Sequence, residues 1–163
     1  MAVSPVRLFP DPVLRKPSRA VSHPEDVEEL IQKLIETMLS QPNGIGIAAA
    51  QIGENLRIFI MDVSPRDPSK ERHVMINPVI RDRGGEVTSR EGCMSLPDYT
   101  ANVRRSEWVT VSWQDEKGKR QKKTFRGIEA MCVQHEVDHL DGLLILDRVS
   151  CLKTDVLPRK TRA

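Results

Sequence analysis

Residues 134–142 read Gln-His-Glu-Val-Asp-His-Leu-Asp-Gly, and the rest of the chain is best understood from this stretch. In a helix, His135 and His139 would stand four residues apart on one face, with their Cβ atoms roughly 5–6 Å apart, so both imidazoles could bind one cation. Glu136 would lie one step around the same turn, where its carboxylate can accept a proton from a bound water. The pattern predicts a metal-dependent hydrolase, although a buried helix that happens to contain two histidines would read the same.

A third metal ligand is expected upstream, because hydrolytic sites of this kind use three protein ligands and leave one position open for water. Cys93 is the leading candidate, since a glycine precedes it and a proline follows four residues later, so the backbone can bend sharply there. Cys132 is three residues before His135 and is better interpreted as a pocket residue. His73 and Asp141 are further alternatives.

Residues 44–53 form a run of small side chains, Gly-Ile-Gly-Ile-Ala-Ala-Ala-Gln-Ile-Gly. The glycines allow a close backbone approach, which suits a wall along which an extended ligand can lie. Gln51 is the only side chain of the run that can donate hydrogen bonds. Taken alone, the run is more typical of a tight turn that leads into a helix of small residues. A phosphate site is not indicated, because no Lys-Ser/Thr pair follows the glycines.

The remaining pattern predicts one long helix and several strands. Apolar residues at alternating steps of three and one indicate a helix over 27–38, and Ser22 and Glu25 form a predicted capping box before it. Strands are predicted at 57–63, 74–80, 108–114 and 119–125. The last strand is basic, but a solvated strand face explains it better than a nucleic-acid site, since interleaved aromatic residues are missing.

Composition excludes several classes of protein. The 163 residues are 29% charged and 39% apolar, and the formal net charge of +2 is too small to indicate a nucleic-acid or membrane surface. No apolar run approaches the ~20 residues of a membrane span, and the start lacks the order of a secretory signal. Cys93, Cys132 and Cys151 do not suggest a disulfide framework. We expect a cytoplasmic protein, while a removed organellar transit peptide would leave no trace.

Three segments together resemble a known family. Residues 44–53, the segment Glu-Gly-Cys-Met-Ser-Leu-Pro at 91–97 and residues 134–142 match, in order and at comparable separations, the motifs of peptide deformylases. These enzymes remove the formyl group from the initiator methionine of nascent chains. The resemblance extends from the first helix to about Leu146. It implies an α+β fold in which antiparallel β-sheets surround a central helix that carries the two histidines.

The resemblance also implies roles for the matching residues. Metal ligation falls on Cys93, His135 and His139. It makes Glu136 the general acid/base that activates a metal-bound water for attack on the formyl carbon, and it makes Gln51 and the backbone N–H of Met94 the donors to the oxyanion. Family members usually use ferrous iron and often accept nickel, cobalt or zinc, so one divalent ion, Fe(II), is the expected cofactor.

The chemistry of the residues adds a site for the peptide. An extended chain could pair with the backbone at 44–46 by strand addition, and soft apolar side chains would hold the methionine. The predicted substrate-binding residues are Gly44, Ile45, Gly46, Met94, Met131 and Cys132. Asp138 is interpreted either as a partner of the metal ligands or as a solvent-facing carboxylate.

The chain departs from the family in two places. Many bacterial members continue into a C-terminal helix that helps them dock on the ribosome, whereas the tail from about residue 150 is short, broken by proline and basic at its end. Many members also carry an arginine soon after the second motif, whereas Asp-Tyr-Thr stand at 98–100 here. Contacts to the distal part of the peptide are therefore expected to differ.

These features predict one catalytic domain over residues 1–163 that acts as a monomer on formyl-Met nascent peptides. Contact with the ribosome is expected to be transient, with no sequence-specific nucleic-acid binding and no membrane binding. Two alternatives remain at this level: another metallopeptidase that uses the same helix, and a non-catalytic metal-binding module. The second would need a fourth protein ligand in place of the open position.

Overall fold

Two antiparallel β-sheets make up most of the computed structural model, which describes residues 3–42 and 44–159. Within this part of the chain, the larger sheet contains, in spatial order, β1 (Gly46–Ala48), β2 (Ile58–Met61), β3 (His73–Gly84), β6 (Trp108–Gln114) and β7 (Arg120–Arg126). The smaller sheet contains β4 (Val87–Cys93), β5 (Leu96–Arg105) and β8 (Val156–Pro158). The four predicted strands correspond to β2, β3, β6 and β7.

Strand β2 shows why the larger sheet is covered on both faces. Its four residues are all fully buried, so the strand is continuously apolar rather than alternating. Phe59 and Met61 belong to one core cluster, and Ile58 and Ile60 belong to a second cluster on the opposite face, because successive strand side chains point to opposite sides. The sheet therefore lies between two helices.

The first of these helices, α1 (Glu28–Ser40), packs on the face that carries Ile58. Its buried stripe includes Ile31, Leu34 and Met38, as the apolar spacing predicts. The predicted capping box is wrong. Residues 24–26 form a short 3-10 turn, the helix begins only after Val27, and no side chain caps its first turn. The serine at position 22 is therefore too far from the helix start to cap it.

The second helix, α2 (Gly127–Leu140), carries the two histidines and packs on the other face of the larger sheet. Ala130, Val133 and Leu140 are fully buried in this interface. The opposite side of α2 meets the smaller sheet through polar side chains, among them His135 and Asp138. This arrangement confirms the predicted α+β fold with a central helix, and it gives α2 one apolar side and one side available for chemistry.

The C-terminal segment folds back onto the smaller sheet. After α3 (Leu152–Asp155), β8 pairs with β5 in the register Ala101–Val156, Thr100–Leu157 and Tyr99–Pro158. The basic end of the predicted tail, residues 160–163, lies outside the described residues, and the single catalytic domain over 1–163 stays a prediction. Among the described residues, no helix is long and apolar enough to cross a membrane.

Candidate active site

Cys93, His135 and His139 meet where the smaller sheet faces α2. Cys93 is the last residue of β4, and the histidines lie one turn apart in α2. Cys93 Sγ is 3.3 Å from His139 Nε2, and the three residues offer ligand atoms that all lie within 4.8 Å of one another. The histidine ring centroids are 5.1 Å apart. The structure therefore contains a Cys/His/His metal site, formed by residues from two different elements.

The other possible ligands lie elsewhere. The Cys132 thiol is directed at a backbone carbonyl oxygen at 3.6 Å, His73 packs against two aromatic rings, and Asp141 pairs with Arg57 at 3.0 Å. Among the described residues, the cluster contains three protein donors and no fourth. A site of this kind leaves a coordination position open, which hydrolytic chemistry requires.

The electrostatics of the cluster favour a thiolate. Burial raises the pKa of the Cys93 thiol, but His139 and His135 stabilise the negative form more strongly, so the pKa lies well below its ordinary value. A thiolate with two imidazoles is a donor set that binds iron, zinc, nickel and cobalt. The residues present therefore fit a divalent transition metal.

A buried ion-pair network contacts the His135 ring on the side away from the metal site. Its Nδ1 lies 2.9 Å from Glu91 Oε1, which leaves Nε2 on the metal side. Arg105 donates hydrogen bonds of 3.0 and 2.8 Å to Glu91 and one of 2.7 Å to Asp138. Arg148 donates two more to Asp138, at 3.1 and 2.8 Å. Such partners orient a ligating imidazole.

The network also explains the charge state of Glu91. Burial alone would raise its pKa, but hydrogen bonds from His135 and Arg105 lower it to about 2. Glu91 is thus an ionised acceptor for the His135 ring at any pH near neutrality. Neither Glu91 nor Arg105 was predicted from the sequence. A signal existed for Glu91, which stands two residues before Cys93 in one strand and therefore shares its face.

Glu136 lies next to the cluster and is almost completely buried. Its Oε1 has no hydrogen-bond partner among the described residues. Burial raises its pKa, although His135 and His139 oppose the shift. A Cβ atom at position 46 would stand 2.5 Å from Glu136 Oε2, so a larger residue there would have to displace this carboxylate or the strand. The carboxylate therefore has a basic oxygen free for a reacting group.

Gln51 approaches the cluster from the short 3-10 helix Ala49–Ile52 that follows β1. Its Oε1 accepts a hydrogen bond of 3.0 Å from the N–H of Ala48, which fixes the direction of the amide. Its Nε2 then lies 3.1 Å from Ser95 Oγ and 3.7 Å from Cys93 Sγ. The amide donors are thus held beside the metal site. Ser95 is a further partner that was not predicted from the sequence.

A cavity of about 780 Å³ opens onto Cys93, His135 and Glu136. Gln51 also lines its wall. All six residues predicted to bind substrate line the same cavity: Gly44, Ile45, Gly46, Met94, Met131 and Cys132. Met94 is the first residue of the two-residue turn between β4 and β5, so the stretch predicted to be irregular is the end of a β-hairpin. The cavity is large enough for several residues of a peptide.

Comparison with known proteins decides the family. The model of the polypeptide deformylase family matches residues 3–155. The chain belongs to the polypeptide deformylase family. The peptide deformylase of Thermodesulfovibrio yellowstonii is 42% identical over 161 residues, which cover 98% of this chain and 97% of that protein. The protein described here by residues 3–42 and 44–159 is therefore a metal-dependent hydrolase that removes the N-formyl group from formylated peptides.

Solved structures agree with this deformylase fold. A peptide deformylase from Legionella pneumophila has a TM-score of 0.86 and 38% identity, and the match covers 93% of this chain and 88% of that chain. A class I type b peptide deformylase from Acinetobacter baumannii with bound Met-Ala-Ser has a TM-score of 0.84 and 34% identity, covering 91% of this chain and 100% of that chain. The deformylase prediction is thereby confirmed over both alternatives drawn from the sequence.

Proposed function

We propose that Glu136 is the general acid/base of deformylation in this enzyme. The observation that carries the proposal is its buried carboxylate, with one unpaired oxygen, beside the Cys/His/His cluster and open to the cavity. A divalent ion held by Cys93, His135 and His139 would act as a Lewis acid and acidify a water molecule. Glu136 accepts the water proton as the water oxygen bonds to the formyl carbon, and returns it to the leaving amine as the carbon–nitrogen bond breaks. The products are formate and a free N-terminal amine.

We further propose that Gln51 and the backbone N–H of Met94 stabilise the negative charge on the formyl oxygen. The Gln51 amide is held in place by the N–H of Ala48, so it needs no reorientation during the reaction. Met94 directly follows Cys93 in the chain. Its N–H is therefore next to the metal site.

The proposed physiological metal is Fe(II), with zinc, nickel and cobalt as alternatives that the same donors accept. The test is an assay with formyl-Met peptides under anaerobic conditions after loading with each ion. We expect the ferrous form to be active and to lose activity in peroxide, because iron and the Cys93 thiolate can both be oxidised. A zinc form that alone is active would contradict the assignment to iron.

The methionine side chain is proposed to bind among Ile45, Met94, Met131 and Cys132, while the peptide backbone pairs with residues 44–46. Formyl-Ala peptides should then have a lower kcat/KM than formyl-Met peptides. The loss of apolar contacts should make their transition-state free energy about 1–3 kcal/mol less favourable. Equal efficiency for both peptides would mean that the pocket lies elsewhere.

A variant with a matched control tests the pocket directly. Met131→Ala should bring the ratio of kcat/KM for formyl-Met peptides to kcat/KM for formyl-Ala peptides closer to 1. Leu152→Ala, at a side chain that is 63% exposed outside the cavity, should leave the ratio unchanged.

Nascent chains with an N-terminal formyl-Met are the proposed substrates, and the cytoplasm is the proposed location. The enzyme is proposed to act as a monomer and to contact the ribosome only transiently, without sequence-specific contacts to nucleic acid. Sedimentation with ribosomes at low and moderate salt tests this: a complex that survives moderate salt would contradict the transient contact.

A further inference from the structure

Three arginines give the cavity wall a positive charge. Arg66, Arg90 and Arg159 all line the cavity, and all three are exposed. Among residues 3–42 and 44–159, none of the three guanidinium groups has an ion-pair or hydrogen-bond partner. The two carboxylates of the same wall, Glu91 and Glu136, are buried. The solvent-accessible charge that a ligand meets is therefore cationic.

Arg159 is held next to the metal site by the smaller sheet. It follows β8 directly, and its backbone N–H donates a hydrogen bond of 2.8 Å to the carbonyl oxygen of Asp98. Strand β8 pairs with β5, and β5 pairs with β4, which ends at the ligand Cys93. The backbone at Arg159 is thus anchored to the sheet that supplies the thiolate.

The guanidinium of Arg159 lies directly on Gly92. A Cβ atom added at Gly92 would overlap Nη2 of Arg159, so the absence of a side chain at this position makes room for the cation. Gly92 directly precedes the ligand Cys93. The positive charge of Arg159 therefore lies beside the residue next to a metal ligand. An extended peptide advances roughly 3.3 Å per residue. With its formyl group at the metal, the peptide would bring its second and third residues past this charge.

We propose that Arg159 binds a carboxylate of the substrate, so that the enzyme favours formyl-Met chains with an acidic side chain at the second or third residue. The inference rests on the proposed peptide site in the same cavity. A guanidinium presents paired N–H donors that match the two oxygens of a carboxylate. Arg66 and Arg90 add to the attraction without being placed on Gly92.

The test compares peptides that differ in one charge. Formyl-Met-Ala-X and formyl-Met-X-Ala are made with a C-terminal amide and with Glu, Gln or Lys as X. For the wild type we expect kcat/KM about 1.5-fold to fivefold higher for Glu than for Gln at one of the two positions, the range of an exposed ion pair, and lower for Lys. The preference should vanish near 1 M salt, where the Debye length is about 3 Å.

The source of the carboxylate is tested separately. The Gln peptides are also assayed with a free C-terminal carboxylate in place of the amide. An equal gain from the free terminus and from the Glu side chain would show that the site recognises the carboxylate alone. A gain from the terminus without any gain from Glu would overturn the proposed side-chain preference.

Substitutions assign the effect to Arg159. Arg159→Ala keeps the backbone N–H that bonds Asp98 and should bring the Glu/Gln ratio close to 1. Arg159→Glu should give a higher kcat/KM for the Lys peptides than for the Glu peptides. Arg159→Lys should keep part of the wild-type preference for Glu over Gln. The matched control is Arg120→Glu on β7, an exposed arginine outside the cavity, which should leave the ratio as in the wild type.

Because each ratio is measured within one protein, differences in folded fraction cancel. Equal kcat/KM for Glu, Gln and Lys peptides in the wild type would overturn the proposal. An unchanged Glu preference in Arg159→Glu would do the same, as would a preference that disappears only in Arg66→Ala or Arg90→Ala. If the wild type failed to deformylate the neutral Gln peptides, the proposed peptide site would fail, independently of any charge preference.

Discussion

At the scale of single residues, the position of a side chain within one turn of α2 decides whether it can bind the metal, as His135 does, or act as a base, as proposed for Glu136. His135 Nε2 is left on the metal side by the hydrogen bond between Nδ1 and Glu91. Glu136, the next residue, is outside the donor cluster, and its Oε1 has no partner among the described residues. A step of one residue, about 100° around the helix axis, therefore changes the chemistry that a side chain can perform.

Replacing Glu136 by glutamine should separate the two roles. The amide preserves the size of the side chain and leaves the three ligands untouched, so the metal should stay bound. Because the amide cannot accept a proton, kcat should fall at least about 100-fold. Metal analysis and turnover are measured on the same preparation. A variant that is metal-loaded and still fast would remove Glu136 from the mechanism.

His139→Ala provides the comparison. It removes a ligand, so metal and activity should be lost together. If His139→Ala kept its metal content, the cluster described above would not be the binding site.

His73 should make stability depend on pH. It is buried against Trp113 and Phe125, its Nε2 has no hydrogen-bond partner among the described residues, and burial lowers its pKa below the ordinary value of 6.5 despite nearby carboxylates such as Glu129. The unfolded chain therefore binds this proton more readily. The contribution to stability is complete above about pH 6.5 and is lost as the pH falls toward the folded-state pKa, with a slope of at most about 1.4 kcal/mol per pH unit.

Urea unfolding at several pH values measures this effect. Between about pH 7 and 5.5 the free energy of unfolding should fall more steeply for the wild type than for His73→Phe. Leu152→Ala provides the control, since this exposed side chain carries no titratable group and its substitution should leave the slope unchanged. Parallel curves for the wild type and His73→Phe would show that His73 does not cause the dependence.

At the scale of elements, the close approach of β1 to α2 shapes the site. Position 46 of β1 faces Glu136 and Cys132, and a Cβ atom there would stand 2.5 Å from Glu136 Oε2 and 2.8 Å from Cys132 Sγ. Real Cβ atoms do not approach so closely, so any larger residue must move the carboxylate or the strand. The glycine therefore serves the geometry of the active site.

Gly46→Ala should reduce kcat by roughly tenfold to 100-fold while metal content stays normal, because a displaced base no longer reaches the reacting water. Gly118→Ala is the control. Gly118 lies in the turn between β6 and β7 with φ of 78°, so its substitution should lower stability without lowering the activity of the folded enzyme. Equal losses of activity per folded molecule in both variants would contradict a specific effect on the site.

At the scale of the whole molecule, the metal site connects the smaller sheet to the helix that packs on the larger one. Cys93 comes from β4, whereas both histidines come from α2. A bound ion therefore joins the two halves of the fold, and ligands that bind only the folded state stabilise it.

Removing the metal should lower the unfolding midpoint. At free metal near 100 times its Kd, binding contributes about 2.7 kcal/mol, which corresponds to roughly 5–10 °C for a domain of this size. Thermal unfolding with and without a chelator measures the shift. His139→Ala should show no such shift, and equal midpoints for the loaded and stripped wild type would contradict the prediction.

The sequence by itself determined α1, the helix with the two histidines, the strands β2, β3, β6 and β7, and the main chemistry, whereas β1, β4, β5 and β8 were not predicted. The apolar stripe over 27–38 and the continuous apolar run of β2 are patterns of neighbouring residues in the chain, so both could be predicted locally. The spacing of His135 and His139 likewise follows from the helical repeat. The capping box failed because a turn at 24–26 intervenes, and turn chemistry of this kind is poorly specified by a short pattern.

Only the tertiary structure decided which distant residues complete the site. It confirmed Cys93, the leading candidate from the sequence, as the third ligand, because strand pairing brings the end of β4 to α2. It also brought Arg105 to Glu91, the partner of His135, and brought the guanidinium of Arg159 to Gly92. These neighbours are separated by tens of residues in the chain, and their meeting depends on sheet register and on packing across the core. No local period in the sequence encodes such contacts.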